Sequence, residues 1–461
     1  MIRSMKWFLP ALLMFAGMCP AAMSPEAARK LYDQATPSLM AVQYVWAHEL
    51  GRQEVVGAGV VVGDDLVMFS VILVSPAIPD EQMKEFKIIV PSQQHDPEEI
   101  DAVFQGRDER TNMAFVKPKT PQHWKPVKFE DVPVQVGEPV VSIGMLPKGA
   151  AYKSYLMQSE VAATLRGADP QVLVQGNGLA AMSSPVYNAD GKAIGLVSYG
   201  GNPLLNGHNE GETIASISNP PKFFVPASDF LLSLTDPPTP KKPVALVWTG
   251  MAQLTGLSKD VAEALGLKDL AAVQVGEVIA TTPAAKAGVE VGDIITKVDG
   301  HDLERGDEAS ELPGILRRRL LRHKVGDEVT FSVLRGQDAK PREIKVTLEE
   351  QPRQANLAKR YYAEDLGFVV RELVFNDTYA LKLPADQKGV MVAMERPQSA
   401  AVSANLRRGD IIIRMNNSPV TDIVEFEKFY KATRKDHPHD PLVVVVQRKT
   451  REDTIRIEPP Q

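Results

Sequence analysis

Residues 174–197, VQGNGLAAMSSPVYNADGKAIGLV, carry the strongest structural signal in the chain. Asp190-Gly191 supplies the residues that a tight turn with positive φ requires. This turn separates two short apolar runs, 185–187 and 193–197. The pattern predicts a β-hairpin. The segment alone does not identify the class of β-protein, because a hairpin in an unrelated β-protein would have the same pattern.

Composition narrows the class of protein. The chain has 461 residues, 44% hydrophobic and 24% charged, which is ordinary for globular proteins and enough for about three domains. A formal net charge of -6 argues against nucleic acid as a partner, because phosphate binding requires a clustered basic surface. The 35 prolines and 32 glycines predict the many turns of β-barrels and small β-rich modules.

Residues 1–22 have the layout of a secretory signal. Arg3 and Lys6 precede an apolar run, 7–17, and small residues follow at 21–22. The run is shorter than the roughly 20 apolar residues of a spanning helix. We therefore expect export to the periplasm or cell envelope and no integral membrane segment after cleavage; a buried helix or an uncleaved anchor is the alternative. Cys19, the one cysteine, lies in this segment, so no disulfide or cysteine site is expected afterwards.

The hairpin segment resembles the nucleophile region of HtrA-type serine proteases of the trypsin-like class. In that family a Gly-Asn-Ser-Gly-Gly loop precedes an apolar strand, a tight turn and an Ile-Gly strand. The hairpin matches, but Met182 stands at the position of the nucleophilic serine and Ala180 at that of a glycine. The resemblance implies a trypsin-like double β-barrel over residues 24–235, including a closing helix at 227–234.

The other two triad positions are also substituted. Residues 57–74 resemble the family's Gly-Ser-Gly strand, turn and following strand, with Ile72 at the position of the catalytic histidine. Residues 110–117 resemble its Arg-x-Asp-φ-Ala-φ-φ-Lys strand, with Asn112 at the aspartate. A serine hydroxyl needs a base, and the base needs a carboxylate. The resemblance therefore implies that Ile72, Asn112 and Met182 leave all three roles vacant.

A rebuilt catalytic site is the alternative. Ser183 and Ser184 follow Met182, and four histidines lie in the same domain, at positions 48, 95, 123 and 208. No motif connects these residues. The oxyanion hole is also in doubt, because the side chain of Ala180 restricts the positive φ that a glycine-rich loop adopts.

After a proline-rich linker, 236–243, the chain repeats itself. Residues 283–295, PAAKAGVEVGDII, recur as 400–412, AAVSANLRRGDII. Each copy predicts a short helix, a turn and a strand that follows Gly-Asp. The repeats resemble PDZ domains of the bacterial protease type, which places PDZ domains at 244–350 and 361–458, joined by a linker at 351–360.

The PDZ resemblance implies peptide binding. Such domains add a peptide end as a strand beside a helix, while the amides of a φ-Gly-φ loop hold its carboxylate. The predicted loops are Trp248, Thr249, Gly250 and Met251 in the first copy and Asp365, Leu366, Gly367 and Phe368 in the second. The predicted groove helices are 311–322 and 424–432. The sequence leaves open whether the grooves are free, filled by their own chain, or used for packing.

Two functions follow from these patterns. The first is a catalytically inactive HtrA-like binder of peptide tails or unfolded segments, acting as scaffold, chaperone-like protein or regulator, alone, as a homo-oligomer or with active relatives. The second is an active serine endopeptidase of protein quality control with a displaced site. No cofactor is expected, and no metal, because the cluster 437–440, HPHD, stands without flanking ligands at zinc spacing.

Overall fold

The computed structural model describes residues 23–460 except 50, 93–95, 166, 168–169, 177, 199–221, 268–269, 307, 337–339, 385 and 450. The predicted signal segment 1–22 lies outside the described residues and stays a prediction. The fold is mainly β, with two closed barrels followed by two smaller β units. Within the described residues, no helix combines the length and the apolar character needed to cross a membrane.

The first barrel follows the helix α1, Pro25–Ala35. Its strands run in the order β1-β2-β3-β6-β5-β4 and are β1 Leu39–His48, β2 Gly51–Gly63, β3 Leu66–Ser70, β4 Met83–Val90, β5 Glu98–Asp108 and β6 Met113–Pro118. The sequence Ser24-Pro25-Glu26 predicts the start of this helix, which is confirmed, since Ser24 Oγ accepts the Ala27 N–H at 3.2 Å. One predicted strand, 66–74, is wrong in its second half.

The strand ends early because Ser70 starts a turn. Ser70 Oγ accepts the N–H of Ile72 at 3.4 Å, and residues Val71–Val74 form a 3₁₀ turn. The turn removes Ile72 from the β ladder and places it at the end of the barrel.

The second barrel contains the predicted hairpin. Its strands run in the order β10-β11-β12-β9-β8-β7 and are β7 Pro139–Met145, β8 Ser154–Leu165, β9 Gln171–Val174, β10 Pro185–Asn188, β11 Ala193–Val197 and β12 Phe223–Pro226. β10 pairs antiparallel with β11, and Gly191 between them has φ of 78°, which confirms the turn. The closing helix α2, Ala227–Thr235, is also confirmed.

A buried apolar cluster joins the two barrels, in addition to the core inside each one. Both barrels contribute side chains that are at most 2% exposed, among them Leu39, Met68, Phe115, Ile143, Leu196 and Phe230. Burial of this shared surface holds the barrels together as one domain.

The first of the smaller units contains one copy of the repeat. Its strands are β13 Val247–Trp248, β14 Met251–Ala252, β15 Thr255–Gly256, β16 Val273–Gln274, β17 Glu277–Val278, β18 Ile294–Val298, β19 His301–Asp302, β20 Glu328–Leu334, β21 Arg342–Thr347 and β22 Glu349–Glu350. Its helices are α3 Lys259–Ala264, α4 Pro283–Ala287 and α5 Leu312–Leu320. The main sheet has the order β15-β16-β18-β20-β21.

The second unit has a similar succession of elements. Its strands are β23 Arg360–Ala363, β24 Phe368–Glu372, β25 Val390–Glu395, β26 Ile411–Met415, β27 Ser418–Pro419, β28 Leu442–Arg448 and β29 Arg451–Ile457. Its helices are α6 Phe375–Ala380, α7 Ala400–Ser403 and α8 Ile423–Asp436. The sheet order is β23-β24-β25-β26-β28-β29.

The repeated Gly-Asp motif makes the same contacts in both units. Asp293 and Asp410 are buried, and each forms an ion pair with an arginine that follows or ends a strand of the sheet. Arg335 Nε lies 2.7 Å from Asp293 Oδ1, and Arg448 Nε lies 2.6 Å from Asp410 Oδ1. The sequence repeat therefore corresponds to a structural repeat.

Candidate functional site

The predicted triad positions lie on segments that meet where the two barrels join. Ile72 lies in the 3₁₀ turn after β3, and 44% of it is exposed. Asn112 is exposed with φ of 57°, and its carbonyl oxygen accepts the Val71 N–H at 2.9 Å. Met182 is half-buried in the turn before β10. Isoleucine and methionine side chains contain neither nucleophile nor base, and an amide has no charge to stabilise an imidazolium.

Both serines beside Met182 are buried. Ser183 Oγ accepts a hydrogen bond from the Ser70 N–H at 2.9 Å, and Ser183 has φ of 66°. Ser184 Oγ has no hydrogen-bond partner in the described part of the chain. A serine nucleophile needs a base within reach of its hydroxyl. Within the described residues Ser184 therefore has no base, and Ser183 accepts a backbone bond.

The backbone N–H at the predicted oxyanion position is already engaged. Ala180 N–H donates to Ser142 Oγ at 2.8 Å, and both residues are buried. Gly144, also on β7, lies so close that a Cβ added to it would be 2.8 Å from Ala180 Cβ. An oxyanion hole needs N–H groups aimed at an incoming oxygen. The Ala180 N–H is aimed instead into the second barrel.

The two described histidines among those considered for a rebuilt site do not complete one. His95 and His208 lie outside the described residues. His123 is exposed, and the ring of His48 lies 4.5 Å from that of Trp46 at the end of β1. Because Ser184 Oγ has no partner in the described residues, none of the described histidines is its base.

A buried carboxylate near Asn112 has a structural role that the sequence comparison missed. Asp108 is 0% exposed and accepts bonds from Arg110 Nε at 2.8 Å and from Ser233 Oγ at 2.7 Å. These bonds tie the loop before β6 to helix α2. No signal in the sequence predicted the pairing with Ser233, which lies 125 residues away. Asp108 is committed to these partners.

The two predicted carboxylate loops have the same local structure. Gly250 has φ of 81° and Gly367 has φ of 73°, a conformation that favours glycine. In each unit a backbone N–H of the motif helix donates to the carbonyl oxygen of the residue before the glycine. Ala284 N–H donates to the Thr249 oxygen at 2.8 Å, and Ala401 N–H donates to the Leu366 oxygen at 3.1 Å. A Cβ on either glycine would clash with the residue before that helix, Thr282 or Ser399. The loops are therefore equivalent, and their role in binding stays a prediction.

In the first unit, strand β15 lies beside helix α5, where the resemblance to PDZ domains predicts the peptide groove. On one side, β14 pairs with β17 and β15 pairs with β16. On the other side, α5 packs near β15. The segment before the loop does not enter this groove, because β13 pairs with β22. The ring of Trp248 lies 5.2 Å from that of Phe375, so this predicted loop residue also contacts the second unit.

Comparisons with known proteins agree with these two parts of the fold. Residues 57–196 match the trypsin-like peptidase domain, and residues 252–348 match the PDZ domain. Among solved structures, the HtrA-type protease AlgW with tripeptide has a TM-score of 0.52 at 17% identity, over 71% of this chain and 98% of that chain. AlgW with decapeptide has a TM-score of 0.51 at 16% identity, over 71% and 99%. At these identities the likeness concerns the fold alone.

Curated relatives extend the similarity along the chain. A "probable periplasmic serine endoprotease DegP-like" of Brucella suis biovar 1 (strain 1330) is 29% identical over 358 residues, which cover 74% of this chain and 63% of that protein. The protein of that name in Rhizobium meliloti (strain 1021) is 27% identical over 357 residues, covering 74% and 65%. The match thus spans less than two thirds of these relatives. The chain is thus similar to HtrA-type and DegP-like proteins in its trypsin-like double barrel and its PDZ domain.

Proposed function

We propose that this chain is a non-catalytic HtrA-like protein that binds peptide tails or unfolded segments through PDZ domains. The observation that carries the proposal is the hydrogen bond from Ala180 N–H to Ser142 Oγ, beside triad positions that hold Ile72, Asn112 and Met182. Neither the nucleophile, nor the base, nor the oxyanion donor is available where a trypsin-like fold uses it.

The magnitudes support loss of activity. Removal of a serine protease triad lowers turnover about a million-fold. The rate acceleration of about a thousand-fold that remains depends on the oxyanion hole and on substrate binding. Loss of one oxyanion donor costs roughly a further hundred-fold to a thousand-fold. With Ala180 engaged, little of the residual catalysis would remain.

Peptide binding does not depend on the triad. A strand edge beside a helix recognises an extended peptide through main-chain hydrogen bonds, and side-chain pockets add specificity. In the first unit, strands β14 and β15 and helix α5 would supply the strand edge and the helix of such a groove. The equivalence of the Gly250 and Gly367 loops supports a PDZ domain in each unit, with the limits 244–350 and 361–458 that the repeat suggests.

The setting that we propose is the periplasm or cell envelope. The signal-like segment 1–22 and the periplasmic designation of the DegP-like relatives support it. As a scaffold, chaperone-like binder or regulator, the protein would work alone, as a homo-oligomer or together with active relatives.

An active serine endopeptidase is the competing function, favoured by the names of the relatives. A fluorophosphonate probe distinguishes the two, with intact-mass detection and digestion of unfolded casein as readouts. We expect no adduct and no digestion from the full chain, and saturable binding of extended peptides. A stoichiometric adduct on Ser183 or Ser184, together with digestion, would overturn the proposal. The Ser183→Ala and Ser184→Ala variants identify the labelled residue.

A further inference from the structure

The strand before the second carboxylate loop lies on the edge that a peptide ligand would occupy. β23 pairs antiparallel with β24 over four residue pairs, from Arg360↔Arg371 to Ala363↔Phe368. β25 occupies the other edge of β24. Both edges of β24 are therefore paired, one with β25 and the other with the strand that precedes the loop.

The helix that walls the groove also contacts β23. The ring of Tyr361 lies 6.0 Å from that of Phe426 and 5.6 Å from that of Tyr430, both on α8. The ammonium of Lys431 lies 5.8 Å from the centre of the Tyr361 ring. β23 therefore lies between β24 and α8, as a PDZ ligand lies between strand and helix.

The end of β23 uses the amide that would receive a peptide carboxylate. Gly367 N–H donates to the carbonyl oxygen of Ala363 at 2.8 Å. Ala363 is 0% exposed and packs in the same apolar cluster as Leu366 and Phe368. The chain runs toward the loop along β23, which is also the direction of a carboxyl-terminal ligand. Ala363 thus stands in the place of the last ligand residue and Tyr361 two residues before it.

The loop itself is better suited to a neutral strand than to a carboxylate. Asp365 adds a negative charge, which accepts a hydrogen bond from Tyr430 Oη and pairs with Arg434 Nε at 3.1 Å. Burial, and then the bond to Asp365, raises the pKa of Tyr430, so the hydroxyl stays protonated and keeps donating. These contacts close the end of the groove around Ala363.

The first unit provides an internal comparison. There the segment before the loop, β13, pairs with β22 and leaves the corresponding strand edge free of it. The two units share the glycine loop and the Gly-Asp motif, yet they differ in this one pairing. The difference is therefore a property of the segment before the loop.

The segment also connects the second unit to the first barrel. Arg360 Nη1 lies 3.5 Å from Glu49 Oε1, and both side chains are largely buried, at 24% and 15% exposed. Asn356 Nδ2 donates to the carbonyl oxygen of Pro76, four residues after Ile72. Release of β23 would therefore separate the second unit from the barrel as well as open its groove.

We propose that residues 359–363 are an internal ligand of the second unit, which keeps its groove closed to peptides in solution. The inference rests on the proposed function, since it assigns peptide capture to the first unit. A four-residue connection, 364–367, holds the strand beside its site at an effective concentration of the order of millimolar or more. A peptide from solution that binds as tightly as the internal strand competes only above that concentration. A weaker peptide needs a proportionally higher concentration.

Hydrogen exchange of the wild-type full chain is the direct test. We expect the amides of β23 that donate to β24, on alternate residues of 360–363, to exchange as slowly as the paired amides of β24, at least about a hundred-fold more slowly than an unstructured chain. Exchange at unstructured rates would overturn the inference. This measurement needs no variant and no ligand, and it does not depend on whether the barrels have activity.

A complementation experiment tests the groove itself. The probe is a fluorescent pentapeptide with the sequence of residues 359–363, KRYYA, and a free carboxyl end. We expect Tyr361→Gly to release the strand and to create one binding site per chain beyond those of the wild type. The matched control is Tyr362→Gly, because neighbouring side chains of a strand point to opposite faces; we expect no added site in that variant.

The two outcomes separate the inference from the proposed function. An equal number of sites in wild type and Tyr361→Gly, although residues 360–363 exchange rapidly in the variant, would refute the internal ligand, because the released groove would then not bind the peptide. Failure of the proposed function would appear as fluorophosphonate labelling, which neither experiment measures.

Discussion

Ser70 N–H donates a 2.9 Å hydrogen bond to Ser183 Oγ, across 113 residues of sequence and from one barrel to the other. Ser70 is two residues before Ile72, and Ser183 follows Met182. The serine that follows Met182 is therefore an acceptor that joins the barrels. Its conformation supports this role, since the φ of 66° is held by the barrel packing around it.

Removal of this hydroxyl should weaken the double barrel. In Ser183→Ala the Ser70 N–H loses its buried acceptor, which costs about 1–3 kcal/mol. Ser183→Gly loses the same bond but relieves the left-handed backbone, so it should be less destabilised by about 1 kcal/mol. The measurement is the calorimetric unfolding transition of the barrel domain in both variants. A glycine variant less stable than the alanine variant would contradict this account.

Ser184→Ala should behave in the opposite way. Ser184 Oγ is buried without a partner in the described residues, and a Cβ added to Gly144 would lie 2.7 Å from it. Loss of an unsatisfied hydroxyl is neutral or stabilising, because burial of such a group costs about 1–3 kcal/mol. Thermal unfolding checks the prediction. A fall in the melting temperature comparable to that of Ser183→Ala would show that the hydroxyl has a partner.

Restoring the triad side chains should not restore activity. The triple variant Ile72→His, Asn112→Asp, Met182→Ser supplies the three residue types, but the Ala180 N–H still donates to Ser142 Oγ. We expect no burst of fluorophosphonate labelling and no casein digestion. Labelling at the new serine at the rate of an active relative would show that the loop rearranges freely. An active HtrA-type protease under the same conditions is the control.

Stability at alkaline pH should depend on Tyr187. Its hydroxyl is buried without a hydrogen-bond partner in the described residues, and burial raises its pKa above that of a free tyrosine, near 10. The unfolded chain therefore ionises first, and stability falls as pH rises above about 10. The urea midpoint should fall less in Tyr187→Phe than in the wild type as the pH is raised from about 8 to about 11. At pH 7 the variant should be as stable as wild type or more; equal slopes in both proteins would refute the assignment.

The contact between the barrel domain and the first unit should depend on an ion pair between α2 and α5. Arg318 on α5 pairs with Asp229 on α2, and the side chains are 20% and 11% exposed. Arg318→Gln should loosen the contact and speed tryptic cleavage after Lys241 in the linker. The matched control is Arg319→Gln, because Arg319 donates to the carbonyl of Asp302 within its own unit. Equal cleavage rates in the two variants would contradict the prediction.

Local signals were enough to predict much of the fold. The hairpin around Asp190-Gly191 and the helix after Ser24 follow from turn and cap chemistry within a few residues. The repeat at 283–295 and 400–412 located both smaller units. Strand 66–74 was overextended, because its apolar run continues past Ser70 while the serine hydroxyl starts a turn.

The site was only partly predictable. The triad positions could be found by comparison with a family motif, but the bond between Ala180 and Ser142 joins segments 38 residues apart. The Tyr361-Tyr362 pair signals a strand through its β-propensity. No local pattern says which edge that strand will join, because the choice depends on where α8 and β24 lie in the folded unit.

The four-residue connection 364–367 also has a kinetic consequence. Opening of the β23–β24 pair is a unimolecular event, and a peptide can enter only after it. The association rate at the second unit should therefore level off as peptide concentration rises, while that at the first unit keeps rising in proportion. One chain would then have two rates of peptide association. The rate at the first unit would be limited by peptide concentration, and the rate at the second by how often its own hairpin opens.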